Sequence, residues 1–411
     1  MKRIKEHRDK WMVLLDQGIF SGTGFLANIL LARMLGVENF GVLMGLVLIV
    51  QFLTSGSNAL TIQISQVNFH LVSGKKAYRD FLIILQLLLI LVIVLLLGIV
   101  ISVAPEITGA SGLSPAYSLL FVSTLVFNDF LRKQMILERK LSTALIADSI
   151  AGLIQTTALV TLLLLHFNRL DYALIISVIS FSASIIYMLY SLKPELRWRA
   201  RSAIYLRRQW SEGKWLFFTA MLQWWSSNLF VMTSGIVLGA TALGALRLAQ
   251  SLFGVINIFF QAYENYILPA ASIKLTESIG SWKIFIKSTS LKSGIIATIG
   301  IGFIMIFSEK IIMILGGKTF ASYSFLIYGL SWLYLIIIIG YPIRIAIRTL
   351  SFNQNYFYGY LLTLITSLIL FKPLLVNWGL WGVIAGLIIN QVITQGYWGW
   401  TLYKKNLLLW K

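Results

Sequence analysis

The stretch LIILQLLLILVIVLLLGIVISV, residues 82–103, carries a polar side chain only at Gln86 and Ser102. A helix of this length rises about 33 Å at roughly 1.5 Å per residue, enough for a hydrocarbon core about 30 Å thick. Working outward, further apolar runs of similar length fall at 12–34, 41–67, 114–131, 146–166, 171–192, 214–238, 243–268, 290–314, 322–341, 356–376 and 379–402. With 82–103 extended to 81–103 they make twelve spans of the 411-residue chain. The composition agrees: 58% of residues are hydrophobic, 12% are charged, and mean hydropathy is +0.82. A soluble domain carries about 25% charged residues. No segment between the spans is long enough for a soluble domain, so a soluble enzyme is excluded. The expected fold is an all-α, polytopic membrane protein with about twelve transmembrane helices.

Charge sets the topology. Lys and Arg number 34 against 15 Asp and Glu, a net charge of +19. With twelve spans, 28 of those 34 cations fall in the two tails and alternate loops on one side. Five fall on the other side, and Arg247 lies inside a span. Cytoplasmic loops collect Lys and Arg, so both termini are expected in the cytoplasm. The excess charge is then topology, and nucleic acid has no place as a partner. There is no cysteine, His7 and His70 lie outside the spans, and His166 is the last residue of one; neither a cofactor nor a metal is expected. Lys2–Lys10 imitates the start of a signal peptide, but the span that follows is long and holds Asp16, Gln17 and Asn28. It is expected to stay in the membrane rather than be cleaved.

A short repeat marks two halves. Leu35-Gly-Val-Glu-Asn-Phe-Gly41 ends the first span, and Leu238-Gly-Ala-Thr-Ala-Leu-Gly244 ends the seventh. Six spans separate them, and both fall on the outer side. This favours two pseudo-symmetric six-helix lobes in parallel orientation, 1–205 and 206–411, around a central cavity. The basic stretch 193–213 is the expected link between them, an interfacial cytoplasmic segment.

Polar side chains are costly in hydrocarbon, so their placement marks surfaces that meet water or another helix. The third span reads as lipid-facing. In the eighth, Arg247, Gln250, Gly254, Asn257, Gln261 and Glu264 are spaced 3, 4, 3, 4 and 3 residues apart, one stripe along one helical face. Asn and Gln also bond helix to helix in bundles, but this stripe is more polar than packing requires and reads as the wall of a water-filled cavity. Weaker stripes are Gln17, Ser21, Gly24 and Asn28 in the first span and Gln51, Ser55, Asn58, Thr61 and Ser65 in the second. The seventh has Thr219, Gln223 and Ser226, with Asn228 and the mid-span pair Trp224 and Trp225 beside them. Gly18 and Gly22 have the spacing of a close helix contact. Arg247, on its stripe, is the candidate for an anionic ligand. Arg33 lies about 140° round the helix from Asn28, where snorkelling to the headgroups competes with a ligand role. Asp16 and Glu264 are candidates for coupling an ion, or are simply solvated at the span ends. Asp129 is expected to pair with Arg132, three residues on.

Leu31-Ala-Arg-Met-Leu-Gly-Val-Glu-Asn-Phe-Gly41 resembles the first-hairpin signature of Wzx-type polysaccharide flippases, within the multidrug/oligosaccharidyl-lipid/polysaccharide exporter superfamily. Leu243-Gly-Ala-Leu-Arg-Leu-Ala-Gln250 through Pro269 is similar to that family's eighth span, and Ile314-Leu-Gly-Gly-Lys-Thr-Phe320 to its ninth-to-tenth turn. The resemblance implies a flippase, not an enzyme, that moves undecaprenyl-pyrophosphate-linked oligosaccharide, an O-antigen or related repeat unit, across the bacterial inner membrane by alternating access. It implies membrane lipids, a polysaccharide polymerase and chain-length proteins as partners. Arg247 and Arg33 would face the pyrophosphate. Gln250, Asn257, Gln261, Gln17, Asn28, Asn58, Gln223 and Trp224 would face the sugars. Three alternatives compete: a cation-coupled drug antiporter, which wants an acid deep in a lobe; a lipid II flippase, which wants a denser arginine cluster; and a membrane polymerase or ligase, which wants a large outer loop.

Overall fold

A computed structural model describes residues 2–69, 72, 74–103, 114–197 and 202–410, with side chains for these except 2–14, 16, 17, 67, 68, 102, 103, 255, 258, 259, 261–263, 265 and 266. The described chain is helical and contains no strand: α1 Lys2–Leu60, α2 Ile62–Asn68, α3 Lys75–Val103, α4 Pro115–Leu137, α5 Leu141–Leu164, α6 Leu170–Leu192, α7 Ser202–Leu238, α8 Ala240–Glu277, α9 Ile279–Ile306, α10 Ser308–Gly316, α11 Ser324–Thr349 and α12 Asn353–Lys404, with a 3-10 turn at Lys318–Tyr323. Among the described residues, seven helical segments are long and apolar enough to cross a membrane. Helices suit that setting because every backbone polar group is satisfied within its own segment.

Each expected span falls on a helix. α1 holds the first and most of the second, 41–67, which is interrupted at Thr61 before α2, and breaks at Gly36; α12 holds the last two and breaks at Gly379. The ninth span differs from expectation. The helix stops at Ile306 and restarts at Ser308, because Ser308, Glu309 and Lys310 interrupt the apolar run and Glu309 falls in the first turn of α10, where an acid suits the helix dipole. α3 exposes an apolar face: Leu88, Leu91, Leu95 and Ile99 are exposed, whereas Gln86 is fully buried and accepts from the Ser57 hydroxyl at 2.7 Å.

The chain divides into two compact units, Met1–Met221 and Leu222–Lys411, within α7. The core of unit 1 joins five helices through Ile62, Phe81, Phe130, Ala144, Met188 and their neighbours. At the break after α1, the buried Gln209 donates to the Thr61 carbonyl at 2.8 Å and accepts from the Tyr78 hydroxyl at 3.0 Å. The first turns of α7 are therefore docked on unit 1. A Cβ at Gly152 would lie 2.5 Å from Thr23, so this is where α1 and α5 approach closely. The Gly18/Gly22 contact expected from sequence does not form among the described residues: a Cβ at either glycine would meet none of them within 4 Å. In unit 2, Phe253 stacks on Tyr334 at 4.5 Å and Phe260 on Tyr341 at 4.9 Å, joining α8 to α11.

A polar seam and an open arginine in unit 2

α8 carries its stripe beside a buried apolar face in its first half. Leu246, Leu248, Ala249 and Phe253 are fully buried. On the stripe, Arg247 is half-buried and its Nη1 donates to Gln250 Oε1 at 3.4 Å. Its Nε is buried without a hydrogen-bond partner among the described residues. Two turns on, a Cβ at Gly254 would meet none of the described residues within 4 Å. The upper half of the stripe thus holds a cation with a buried, unused donor, followed by a glycine whose Cβ would meet no described residue within 4 Å. Arginine suits this setting because its planar fork binds two oxygens of a carboxylate or phosphate at once.

The lower half of the stripe has partners that sequence reading did not supply. Asn257 donates to the Tyr334 hydroxyl at 2.8 Å. Tyr341 donates to the Phe260 carbonyl at 2.7 Å, with Glu264 Oε2 at 3.2 Å from the same hydroxyl. Glu264 is buried and pairs with Arg344 at 3.6 Å and with Arg348. It is not a solvated end-of-helix acid, as one reading of the sequence had it. The partners Tyr334, Tyr341, Arg344 and Arg348 recur 7, 3 and 4 residues apart on α11, a helical period that marks a polar face and was the available signal. Gln261 lies outside the described side chains.

On α7, Gln223 is half-buried and Trp224 buried, with Trp224 edge-on to Trp225 at 5.4 Å. In unit 1, Asn28 is half-buried and Arg33 exposed. Asn58 is buried and donates to Asp129 at 2.8 Å. Asp129 pairs with Lys133 at 2.7 Å, not with Arg132 as expected. Arg132 pairs instead with Asp148 of α5, because both side chains are buried and a buried charge needs its counter-ion. Asp16 and Gln17 lie outside the described side chains. Among the described residues no cluster of His and acids could hold a metal.

Comparison with known proteins places this architecture among membrane transporters. The structure is similar to an inward-facing MATE-family multidrug resistance transporter of the MOP superfamily, with 15% identity, a TM-score of 0.68, and 95% of each chain covered. It is also similar to lipid II flippase MurJ in an inward closed conformation, with 13% identity, a TM-score of 0.72, 96% of this chain and 89% of that one. A mutant of the Vibrio cholerae MATE transporter VcmN matches at 14% identity and a TM-score of 0.65 over 98% of both chains. At these identities the likeness concerns the fold. A comparison with curated proteins finds no match. The polysaccharide biosynthesis protein family matches residues 8–273, and the chain belongs to that family. It is a multi-span membrane protein with a flippase-like fold.

Proposed function

We propose that the protein is a flippase that moves undecaprenyl-pyrophosphate-linked oligosaccharide across the bacterial inner membrane by alternating access of two lobes, 1–205 and 206–411, with both termini in the cytoplasm. The observation that carries this reading is Arg247, whose Nε is unused and which has no carboxylate within ion-pair distance among the described residues. A pyrophosphate leaving water needs such a cation, since an unpaired ion in low dielectric costs several kcal/mol or more. Gln250, Asn257 and Gln261 continue from it as hydrogen-bonding groups for sugar hydroxyls, with Gln17, Asn28, Asn58, Gln223 and Trp224 as further wall positions. Arg33 is the second cation. Asp16 is the coupling-ion candidate, and Glu264 the weaker one because two arginines already hold it. The prenyl chain stays in the bilayer and no covalent step is needed. The membership in a polysaccharide biosynthesis family supports this cargo.

The antiporter alternative wants a free acid within a lobe. Asp129 and Asp148 are each paired with a cation, which favours the flippase.

The test is complementation of a flippase-deletion strain. Arg247→Gln should abolish or sharply reduce surface polysaccharide at normal membrane levels of the protein, and Arg247→Lys should retain part of it. Full activity of Arg247→Gln would remove the pyrophosphate role.

A further inference from the structure

At one end of unit 1 an open cavity of about 870 Å³ is lined by Lys75, Lys76, Arg79, Arg139 and Lys193, with Glu138 as the one acid among the described lining residues. Four separate pieces of chain contribute: the end of α2, the start of α3, the α4–α5 turn and the end of α6. A topological excess of Lys and Arg explains positive charge on this side, but not its convergence on one cavity.

Two of these cations are already paired with acids, and Lys75 and Lys193 lie over the Phe69 and Tyr190 rings at 5.8 and 5.7 Å. Arg79 is buried between Asp80 at 3.1 Å and Glu138 at 3.8 Å, and Lys76 pairs with Glu195. Lys75, Arg139 and Lys193 have no carboxylate partner among the described residues. Arg139 and Lys193 also sit in left-handed backbone, at φ 58° and 47°, where Asn or Gly is the easier residue.

A second, apolar groove of about 380 Å³ adjoins this end. Ile84, Leu87, Leu88 and Leu91 of α3 line it together with Leu196. Arg79 and Ile84 are five residues apart on α3, about 7.5 Å of helical rise. Lys193 and Leu196 are three residues apart, which bounds their separation at roughly 10 Å. The Lys76–Glu195 pair ties the 193–197 segment to the first turn of α3. The cationic cavity therefore gives way to the leucine groove over about the distance between a lipid's phosphate and the start of its chains.

A free anion has no use for the leucines, and a neutral lipid has no use for the unpaired cations. We infer that this is a binding site for an anionic phospholipid, with its phosphate among Lys75, Arg139 and Lys193 and one acyl chain along Ile84, Leu88 and Leu91. The site lies within unit 1 and does not depend on the cargo proposed above.

The experiment uses the full-length protein purified in detergent, with retained phosphatidylglycerol or phosphatidylcholine counted by native mass spectrometry. Phosphatidylglycerol should be retained in preference, and millimolar inorganic phosphate should not displace it. In the triple variant Lys75→Gln/Arg139→Asn/Lys193→Asn its affinity should fall about a hundredfold, at roughly fivefold for each cation. Asn is chosen at the two left-handed positions to keep the backbone relaxed. Leu88→Asn should also weaken retention. Displacement by phosphate, with Leu88→Asn binding normally, would make this a site for the free anion and overturn the lipid. Equal retention of both lipids by the unmodified protein, which needs no variant to fold, would reduce the cluster to topology alone and overturn it as well.

Discussion

Gly36 and Gly239, 203 positions apart, adopt nearly the same backbone conformation, with φ/ψ of 72°/176° and 89°/169°. Each is the first glycine of a Leu-Gly-x-x-x-(Phe/Leu)-Gly motif, and each breaks a helix at the turn between two spans. Four residues on, Phe40 and Leu243 are both buried, as are Gly41 and Gly244. The repeat therefore has a physical content in each unit: a turn that only glycine makes without strain, closed by an apolar side chain. Positive φ with ψ near 180° is essentially a glycine region.

This predicts a torsional penalty rather than a steric one, since a Cβ at either glycine would meet nothing within 4 Å. Gly36→Ala and Gly239→Ala should each destabilise the protein by about 1–3 kcal/mol. Gly98→Ala, in the helical interior of α3 with equally open surroundings, should be neutral or stabilising by up to about 1 kcal/mol. Thermal unfolding of the three variants in one detergent is the measurement. Unchanged melting of Gly36→Ala and Gly239→Ala would sink the argument.

What sequence reading could reach follows from what periodicity encodes. The run at 82–103 declares a membrane helix because length and apolarity are local properties. The spacing from Arg247 to Glu264 shows which residues share a face for the same reason. Periodicity does not show what lies opposite that face. Asn257 has its hydroxyl partner 77 residues away on Tyr334, and Glu264 has its arginines on α11. Likewise Gly18 and Gly22 have the spacing of a contact, but the close approach of α1 falls at Thr23 and Gly152.

The Arg132–Asp148 pair, both side chains more than nine-tenths buried, should behave as a unit. Arg132 also lies over the Phe20 ring at 4.1 Å, so its charge is held in place on two sides. Asp148→Asn leaves that charge buried and uncompensated, at a cost of about 3–5 kcal/mol. Arg132→Met/Asp148→Leu removes both ions and should recover most of the loss. If the double variant melts as low as Asp148→Asn, the shared-burial account fails.

The open face of α8 can be mapped directly, because the chain has no cysteine. Cysteines at Gln250, Gly254 and Asn257 should react with a small water-soluble thiol reagent. Cysteines at Ala249 and Phe253, fully buried neighbours on the same helix, should not. Leu88→Cys provides the second control: it is exposed, but to lipid, and should also stay unlabelled. Protection of Gly254→Cys equal to that of Ala249→Cys would make the stripe a packed surface.

Glu264 tests whether a buried acid on the stripe couples ions or holds the seam. Its partners Arg344 and Arg348 sit one helical turn apart, and their side chains are 39% and 41% exposed, so solvent screens part of their charge. Glu264→Gln keeps the shape and an acceptor for Tyr341 but removes the charge that holds the two arginines. Charge-assisted hydrogen bonds contribute about 1.5–3 kcal/mol, and a loss within that range is expected in thermal unfolding. Tyr341→Phe, which gives up the bond to the Phe260 carbonyl, should lose less, about 1 kcal/mol. Adding Arg348→Gln to Glu264→Gln removes one unmatched cation and should restore part of the stability. A seam role requires surface polysaccharide in the deletion strain to follow stability through this series, falling with the first substitution and recovering with the second. A coupling role requires Glu264→Gln to abolish transport at unchanged melting temperature, with no rescue by Arg348→Gln. That second outcome would overturn the seam assignment and make Glu264 the group that binds the driving ion.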